Sequence, residues 1–142
     1  MTAAGLREFV ADTPAEEDSI LAAVLGRPVS GLAEAGQAAT ALITAGARPA
    51  VVTAGAHGAA LAGPDATATI SAVRVDAVDT VGAGDTFVGA LAVALAAGIP
   101  AAEAVRAAAA AGATAATRPG AQAGMPRPAD ILATTGIVWP AG

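Results

Sequence analysis

The sequence predicts an α/β fold in which helices flank a small sheet. Two observations lead to this class. Segments with apolar residues at helical spacing lie towards both ends of the chain, and short apolar or β-branched runs lie between them. The resulting order of helix, helix, three strands, helix and helix is typical of a layered α/β architecture. A chain of 142 residues is also long enough to bury a core.

Two helices are predicted before the strands. The first covers residues 16–25, with Thr13 as its N-cap and Pro14 in its first turn. The second covers residues 32–45, where alanine and larger aliphatic side chains fall on one face and Gly46 provides a stop. The second helix therefore has one apolar face for packing.

Three strands are predicted in the middle of the chain. Ala50–Thr53 is a short continuous apolar run, which suits a buried parallel strand. Gly55 and Gly58 mark a turn after it, and residues 59–62 return as a second strand. Residues 68–78 are rich in β-branched side chains and indicate a third. A typical sheet has about four to six strands, so we expect the others to come from a partner chain or to have been lost.

Helices follow the strands. Residues 85–97 form a predicted helix that Gly98 closes, and residues 100–116 form an alanine-rich helix that opens on a proline. A short helix is expected over residues 129–133, followed by an irregular tail over about residues 136–142. The apolar runs of these helices are shorter than the roughly 20 residues that a membrane-spanning helix needs. We therefore interpret them as buried helices of a soluble protein.

Composition argues against several classes of function. The chain has no cysteine, which excludes disulfides, thiolate zinc sites and cysteine nucleophiles. Its 12 acidic and 7 basic residues give a net charge of −5, and no basic cluster is present. This balance argues against nucleic acid and against anionic membrane surfaces as partners. The first residues lack the pattern of a signal peptide, so a cytoplasmic location is expected.

The segment D-T-V-G-A-G-D at residues 79–85 is the stretch most suggestive of chemistry. It combines a strand end, a glycine turn and the start of a helix. Gly82 and Gly84 allow a ligand to approach the backbone closely, and the first amides of a helix favour an anion such as a phosphate. The Asp85 carboxylate would repel that anion unless it accepts a proton from an attacking hydroxyl. The pattern therefore predicts phosphoryl transfer, with Asp85 as the base.

A simpler interpretation of the same segment stays open. Asp85 can be a helix N-cap and the glycines a tight turn, with no ligand involved. His57 is the single histidine and lies in the turn after the first strand. We interpret it as a surface turn residue rather than a catalytic acid, because Asp85 already fits the role of the base.

A family resemblance favours the chemical interpretation. Residues 78–91, VDTVGAGDTFVGAL, resemble the C-terminal signature of the ribokinase-like (pfkB) family of carbohydrate kinases. Residues 51–58 are similar to the family's nucleotide-contacting strand and turn, and residues 103–106 with the following helix resemble the helix that lines the adenine pocket. Residues 117–126 look like a segment typical of the ribokinases within that family. The resemblance runs from about residue 14 to residue 133.

The resemblance implies a ribokinase-like, Rossmann-like three-layer α/β/α sandwich. It covers only the C-terminal, ATP-binding part of the family's domain. Residues 1–142 are accordingly expected to form one partial domain, without the N-terminal half and without the small β lid. Full-length members of the family often dimerise through that lid, and the partner for the missing half of this chain is unknown.

The resemblance also assigns roles to individual residues. It makes Asp85 the catalytic base and the group that contacts the sugar hydroxyl. The backbone amides of Ala83, Gly84 and Asp85 are implied to form the anion hole, with Gly82 in the same turn. The residues implied to border the nucleotide are Thr53, Ala54, Gly55, Ala56, His57 and Gly58, together with Gly84 and Asp85, and with Ala109 packing near the adenine.

Two cations are implied as well. A potassium ion beside the anion hole would have as ligands the Asp79 side chain and mostly carbonyls of Val81, Ala115, Arg118 and Gly120, with Gly124 near. The family also organises Mg²⁺ and phosphate through an Asn-x-x-Glu motif. No intact copy is present, since Ala15 occupies the position of the Asn and Asp18 that of the Glu.

The implied activity is ATP-dependent phosphorylation of a sugar. D-ribose is the leading candidate, and its products would be D-ribose 5-phosphate and ADP. Other sugar or nucleoside kinases of the family stay open, because the residues that select the sugar belong to the half that the resemblance does not cover. Two further hypotheses are a remnant that holds a nucleotide without turnover and a fragment that does not fold alone.

Overall fold

The computed structural model describes residues 31–46, 49–63, 67–120 and 125–141. The helix predicted over residues 16–25 lies outside the described residues, as do Ala15, Asp18 and Gly124. The chain divides into two compact units, Met1–Ser71 and Ala72–Gly142, and each is described by itself.

The first unit combines one helix with a three-stranded sheet. Helix α1 (Leu32–Thr44) precedes strands β1 (Ala50–Thr53), β2 (Gly58–Ala62) and β3 (Thr67–Ser71). The strands lie in the order β1-β2-β3, and both pairings are antiparallel. A single 3₁₀ turn, Gly55–His57, connects β1 to β2.

The core of this unit lies between α1 and one face of the sheet. The register pairs Ala50 with Ala62 and Val52 with Ala60, which places these four side chains on the face that packs against the helix. The helix contributes the buried residues Ala35, Ala38, Ala39 and Leu42. Most of these contacts are made by methyl groups, so Leu42 and Val52 provide much of the apolar surface that is buried here.

Two strand predictions need correction. The prediction of a parallel strand at Ala50–Thr53 is wrong for the pairing in the described residues, because the 3₁₀ turn sends the chain straight back and β2 pairs with β1 antiparallel. The third strand is shorter than predicted and ends at Ser71. Ser71 pairs with Gly58, the first residue of β2, so β2 offers no partner to residues 72–78.

The second unit contains three helices. They are α2 (Ala83–Ala96), α3 (Ala101–Ala116) and α4 (Pro128–Thr135), close to the predicted positions. Helix α2 begins two residues earlier than predicted because Gly82 is its N-cap, and Pro100 is the N-cap of α3 rather than its first residue. No helix in the described part of the chain is long and apolar enough to cross a membrane.

Helix α3 is buried over most of its circumference. Its buried residues are Ala104, Val105, Ala107, Ala108, Ala110, Ala111, Gly112, Thr114, Ala115 and Ala116. Such burial is typical of a helix at the centre of a packed unit. Ile131 of α4 packs against Ala110 and Ala111, and Ile137 and Trp139 of the irregular C-terminal segment add to the same cluster.

Gly112 allows α3 to approach the first turn of α2. A Cβ atom at this position would lie 3.1 Å from the carbonyl oxygen of Ala83 and 3.6 Å from the Cβ of Phe87. The first distance is shorter than an ordinary van der Waals contact, so any larger residue would push the two helices apart at the glycine turn. Sequence analysis did not single out this glycine.

Candidate active site

In the part of the chain that the structure describes, the glycine turn before α2 leaves two backbone amides without an acceptor. Gly82 adopts φ 82°, in the left-handed region that favours glycine, and its carbonyl accepts the Thr86 amide at 2.9 Å. The Ala83 amide, predicted as an anion-hole donor, instead donates to the carbonyl of Thr80 at 3.2 Å, because the turn closes on itself there. Within the described residues, the amides of Gly84 and Asp85 donate to no acceptor. These two N–H groups lie at the positive end of the α2 dipole and suit an anion.

The Asp85 side chain is exposed beside these amides. It lies in the first turn of α2, where Gly82 and not Asp85 is the N-cap, and it makes no capping hydrogen bond. No ion pair or side-chain hydrogen bond involves it within residues 67–120 and 125–141. Its carboxylate is therefore accessible to a ligand from solvent.

Asp79 ties the start of this turn to the segment after α3. Its Oδ1 accepts the Val81 amide at 2.9 Å, and its Oδ2 accepts the Gly120 amide at 3.1 Å. The amides of Val78 and Asp79 both donate to the carbonyl of Ala116, at 2.8 and 3.1 Å. The Val81 amide, followed by the Gly120 amide, lowers the pKa of the Asp79 carboxyl below its ordinary value.

A second carboxylate holds the segment after α3 from the other side. Asp130 Oδ1 lies 2.9 Å from the guanidinium of Arg118, and Asp130 Oδ2 accepts the Arg127 amide at 2.7 Å. The hydrogen bond from Arg118, followed by that amide, lowers the pKa of Asp130, and the same pair raises the pKa of Arg118. Asp130 was not among the predicted site residues, although a carboxylate two residues after a proline in a helix's first turn is a common capping pattern.

The structure thus connects several of the residues predicted to hold a cation. Asp79, Val81 and Gly120 are joined by hydrogen bonds. Ala115 lies in the last turn of α3 and Arg118 follows the C-cap of that helix, and the Arg118 amide donates to the Ala115 carbonyl at 3.2 Å. Among the described residues, no group of three or more His, Cys, Asp or Glu side chains could hold a metal ion.

The predicted nucleotide-bordering turn lies in the first unit. The Ala54 amide donates to the Gly58 carbonyl at 2.7 Å, and the His57 amide donates to the Ala54 carbonyl at 3.0 Å. Gly55 and Gly58 have φ of 52° and 123°, which only glycine adopts readily. Gly55, Ala56 and His57 are exposed, whereas Thr53 and Ala54 are half-buried. Ala109 belongs to the second unit, where it is half-buried on α3.

An apolar cavity of about 310 Å³ adjoins Asp85 within the second unit. Thr86, Ala90, Val93 and Trp139 are among its lining residues. The hydroxyl of Thr86 is buried and has no hydrogen-bond partner within the described residues. Sequence analysis predicted neither the cavity nor this hydroxyl, since both depend on contacts between segments distant in sequence.

The segments that form these turns match a known protein family. The sequence pattern described as pfkB family carbohydrate kinase matches residues 10–128, which is most of the chain and includes both turns. The chain belongs to the pfkB family of carbohydrate kinases.

Individual relatives agree with this family. Ribokinase of Lactococcus lactis is 35% identical over 83 residues, which are 58% of this chain and 28% of that protein. The structure of Arabidopsis thaliana ribokinase complexed with ribose and ATP matches with a TM-score of 0.71 and 31% identity, over 82% of this chain and 38% of its own. Escherichia coli phosphofructokinase-2 in complex with potassium matches with a TM-score of 0.70 and 28% identity, over 82% of this chain and 37% of its own.

These structures confirm the predicted ribokinase-like α/β fold class. The match is partial, because this pfkB chain spans less than two fifths of the length of each of these relatives.

Proposed function

We propose that the chain supplies the nucleotide-side part of an ATP-dependent sugar kinase, with D-ribose as the acceptor. Family membership supports kinase chemistry, and the observation that carries the proposal is the exposed Asp85 carboxylate beside two unpartnered amides. A phosphoryl group needs donors for its charge, and its acceptor hydroxyl needs a base. The start of α2 offers both within two consecutive residues.

In this mechanism the sugar hydroxyl donates its proton to the Asp85 carboxylate as its oxygen attacks the γ-phosphorus of ATP. A bond forms between the sugar oxygen and phosphorus, and the bond from phosphorus to the bridging oxygen of ADP breaks. The amides of Gly84 and Asp85 stabilise the charge on the transferring group. Gly82 and Ala83 complete the anion hole by shaping the turn that directs these amides.

The nucleotide would be held by the residues that the family pattern assigns to it. The turn Thr53–Gly58 would border its phosphates and ribose, and Ala109 would pack near its adenine. The positive φ and the exposure of Gly55 support this assignment, because backbone without a side chain allows phosphate to approach.

The residues around Asp79 fit a potassium ion. A carboxylate and backbone carbonyls are the hard oxygen donors that such ions prefer, and hydrogen bonds already join Asp79, Val81 and Gly120. These three residues would hold the ion with Ala115, Arg118 and Gly124, and its charge would strengthen the field at the anion hole. Mg²⁺ would be bound largely through the phosphates of ATP, as is usual in kinases.

D-ribose is preferred as acceptor because two of the similar proteins described above are ribokinases. A phosphorylated fructose is the competing acceptor, since phosphofructokinase-2 matches the fold almost equally well. The proposal includes a cytoplasmic location, a single partial domain over residues 1–142, and dimerisation only when the rest of a full-length kinase is present.

The test is ADP release by the 142-residue chain with Mg²⁺ and K⁺ present, with and without D-ribose. ADP release that depends on ribose supports the proposal. ADP release that depends on a fructose phosphate and not on ribose would reassign the acceptor. No sugar-dependent release, in a folded chain, would reject kinase activity for these residues alone.

A second candidate is a nucleotide-binding protein without turnover. The observation that favours it is coverage, because the chain matches only 38% of the ribokinase that binds both ribose and ATP. Calorimetric titration with ATP separates the two candidates, since binding without sugar-dependent ADP release is expected only for the second.

A further inference from the structure

Three polar contacts and one short stretch of backbone connect α4 to the glycine turn. It begins at the Asp130 carboxylate, which pairs with the Arg118 guanidinium at 2.9 Å. Two residues after Arg118, the Gly120 amide donates to Asp79 Oδ2 at 3.1 Å, and Asp79 Oδ1 accepts the Val81 amide at 2.9 Å. Val81 directly precedes Gly82, the N-cap of α2.

The segment between Arg118 and Gly120 transmits orientation because it is short and restricted. Pro119 has a fixed φ and separates the two residues. Gly120 adopts φ 86°, in the left-handed region that favours glycine, and its amide donates to Asp79 Oδ2. A change in the direction of the Arg118 backbone therefore moves the Gly120 amide away from its acceptor.

Asp130 is itself held on a rigid element. Its second carboxylate oxygen accepts the Arg127 amide at the start of α4. The next residue, Ile131, is buried against Ala110 and Ala111 of α3. Asp130 thus uses one oxygen to fix itself on its helix and the other to hold Arg118.

We propose that Asp130 is a positioning residue for the glycine turn, acting through Arg118, Gly120 and the Asp79 carboxylate. Without the Asp130–Arg118 pair, the Gly120 amide loses its fixed direction, Asp79 loses one of its two amide donors, and the turn that presents Gly84 and Asp85 loosens. The link from this turn to nucleotide binding rests on the function proposed above. The link from Asp130 to Gly120 does not.

The first measurement is amide hydrogen exchange by NMR on the complete 142-residue chain. Asp130→Asn removes the charge but keeps an oxygen that can accept the Arg127 amide. We expect exchange at Gly120 and Val81 to accelerate by about two- to fivefold, the range that corresponds to the loss of one exposed ion pair. Asp76→Asn is the matched control, because Asp76 is an exposed aspartate of the same unit.

The pattern of exchange separates positioning from a general loss of stability. Selective acceleration at Gly120 and Val81 supports the inference, whereas equal acceleration throughout α2 and α3 would mean that Asp130 only stabilises the unit. Arg118→Lys retains a positive charge and should give an intermediate effect. If Asp130→Asn does not fold, Arg118→Gln provides the same test. Exchange at Gly120 that matches the Asp76→Asn control would overturn the inference.

ATP titration provides the second readout. Asp130→Asn should weaken ATP binding by about two- to fivefold, while Asp76→Asn leaves it unchanged. Unchanged ATP affinity alongside accelerated exchange at Gly120 would disprove the link to the nucleotide. If the wild-type chain binds no ATP, the proposed function fails, and exchange at Gly120 alone decides the role of Asp130.

Discussion

The turn after β1 and the turn before α2 are both built on glycines with positive φ, yet they satisfy their backbone amides differently. In the first turn the Ala54 and His57 amides donate to Gly58 and Ala54, so these hydrogen bonds stay within the turn. In the second turn the Gly84 and Asp85 amides have no acceptor in the described part of the chain. The first turn therefore closes a hairpin by itself, whereas the second leaves donors for a ligand.

The two turns also differ in what supports them. The turn after β1 lies between two strands that pair directly with each other. The turn before α2 depends on distant residues, because Asp79 accepts an amide from Gly120, 41 residues along the chain, and Gly112 makes room for Ala83. The turn before α2 is thus held by residues distant in sequence, whereas the hairpin turn is held by the two strands that it joins.

The largest expected effect is a loss of turnover when the carboxylate beside the turn before α2 is removed, since the turn after β1 has no such group. Asp85→Asn should reduce sugar-dependent ADP release by about 10²- to 10⁴-fold, because the amide side chain cannot accept the proton of the hydroxyl. ATP affinity should change little, since the amides of the turn remain. Steady-state kinetics and ATP calorimetry measure the two effects, with Asp76→Asn as the control. Equal turnover in Asp85→Asn would refute the assignment of the base.

Gly112→Ala tests the remote support of the second turn. The new methyl group would lie 3.1 Å from the Ala83 carbonyl oxygen. The overpacking outweighs the helix propensity that alanine gains, and the net effect should lower the free energy of unfolding by about 0.5–2 kcal/mol. Gly89→Ala is the matched control in α2, because its Cβ would meet nothing within 4 Å. This control should stabilise by about 0.5–1 kcal/mol through helix propensity. Urea denaturation measures the stability of both variants. Equal changes in stability would show that the close approach to Ala83 does not require glycine at position 112.

Gly55→Ala tests the conformational requirement of the first turn. No atom lies within 4 Å of the new Cβ, so the cost comes only from φ 52° and should be about 1–2 kcal/mol in the free energy of unfolding. Gly55→Asn should cost less, because asparagine adopts this region more readily. Thermal unfolding monitored by circular dichroism ranks the two variants. A cost for asparagine as large as for alanine would contradict a purely conformational origin.

The smallest expected effect is a loss of stability of the second unit at acidic pH. The pKa values of Asp79 and Asp130 are lowered from 3.8 in the folded chain, so both groups contribute stability above that pH. This contribution is lost as the pH falls below about 4, because protonation removes acceptors that the Val81, Gly120 and Arg127 amides and Arg118 use. Urea titrations at about pH 6 and pH 3 should show a smaller loss for Asp79→Asn than for the wild type. An identical loss would assign the acid sensitivity to other groups.

Much of the fold could be predicted from local patterns. Helix α1 and strand β1 match their predicted positions, and the ends of the later helices differ from prediction by about two residues. Helical periodicity, glycine stops and prolines act within a few residues, which is why they can be read along the chain. The glycine turn and Asp85 were identified for the same reason, since their character follows from seven consecutive residues.

The sequence by itself determined the four helices after residue 31, the first strand, the kinase family and the segment that carries Asp85. Only the tertiary structure decided that the strands pair antiparallel, that β3 ends at Ser71, that Gly112 faces Ala83 and that Asp79 and Asp130 hold the segment after α3. The physical reason differs between the two groups. The strand pairing is local but depends on how backbone hydrogen bonds form across the turn, which residue types alone do not specify. The contacts of Gly112 and of Asp79 with Gly120 join segments distant in the chain, whose proximity exists only after the core between them has formed.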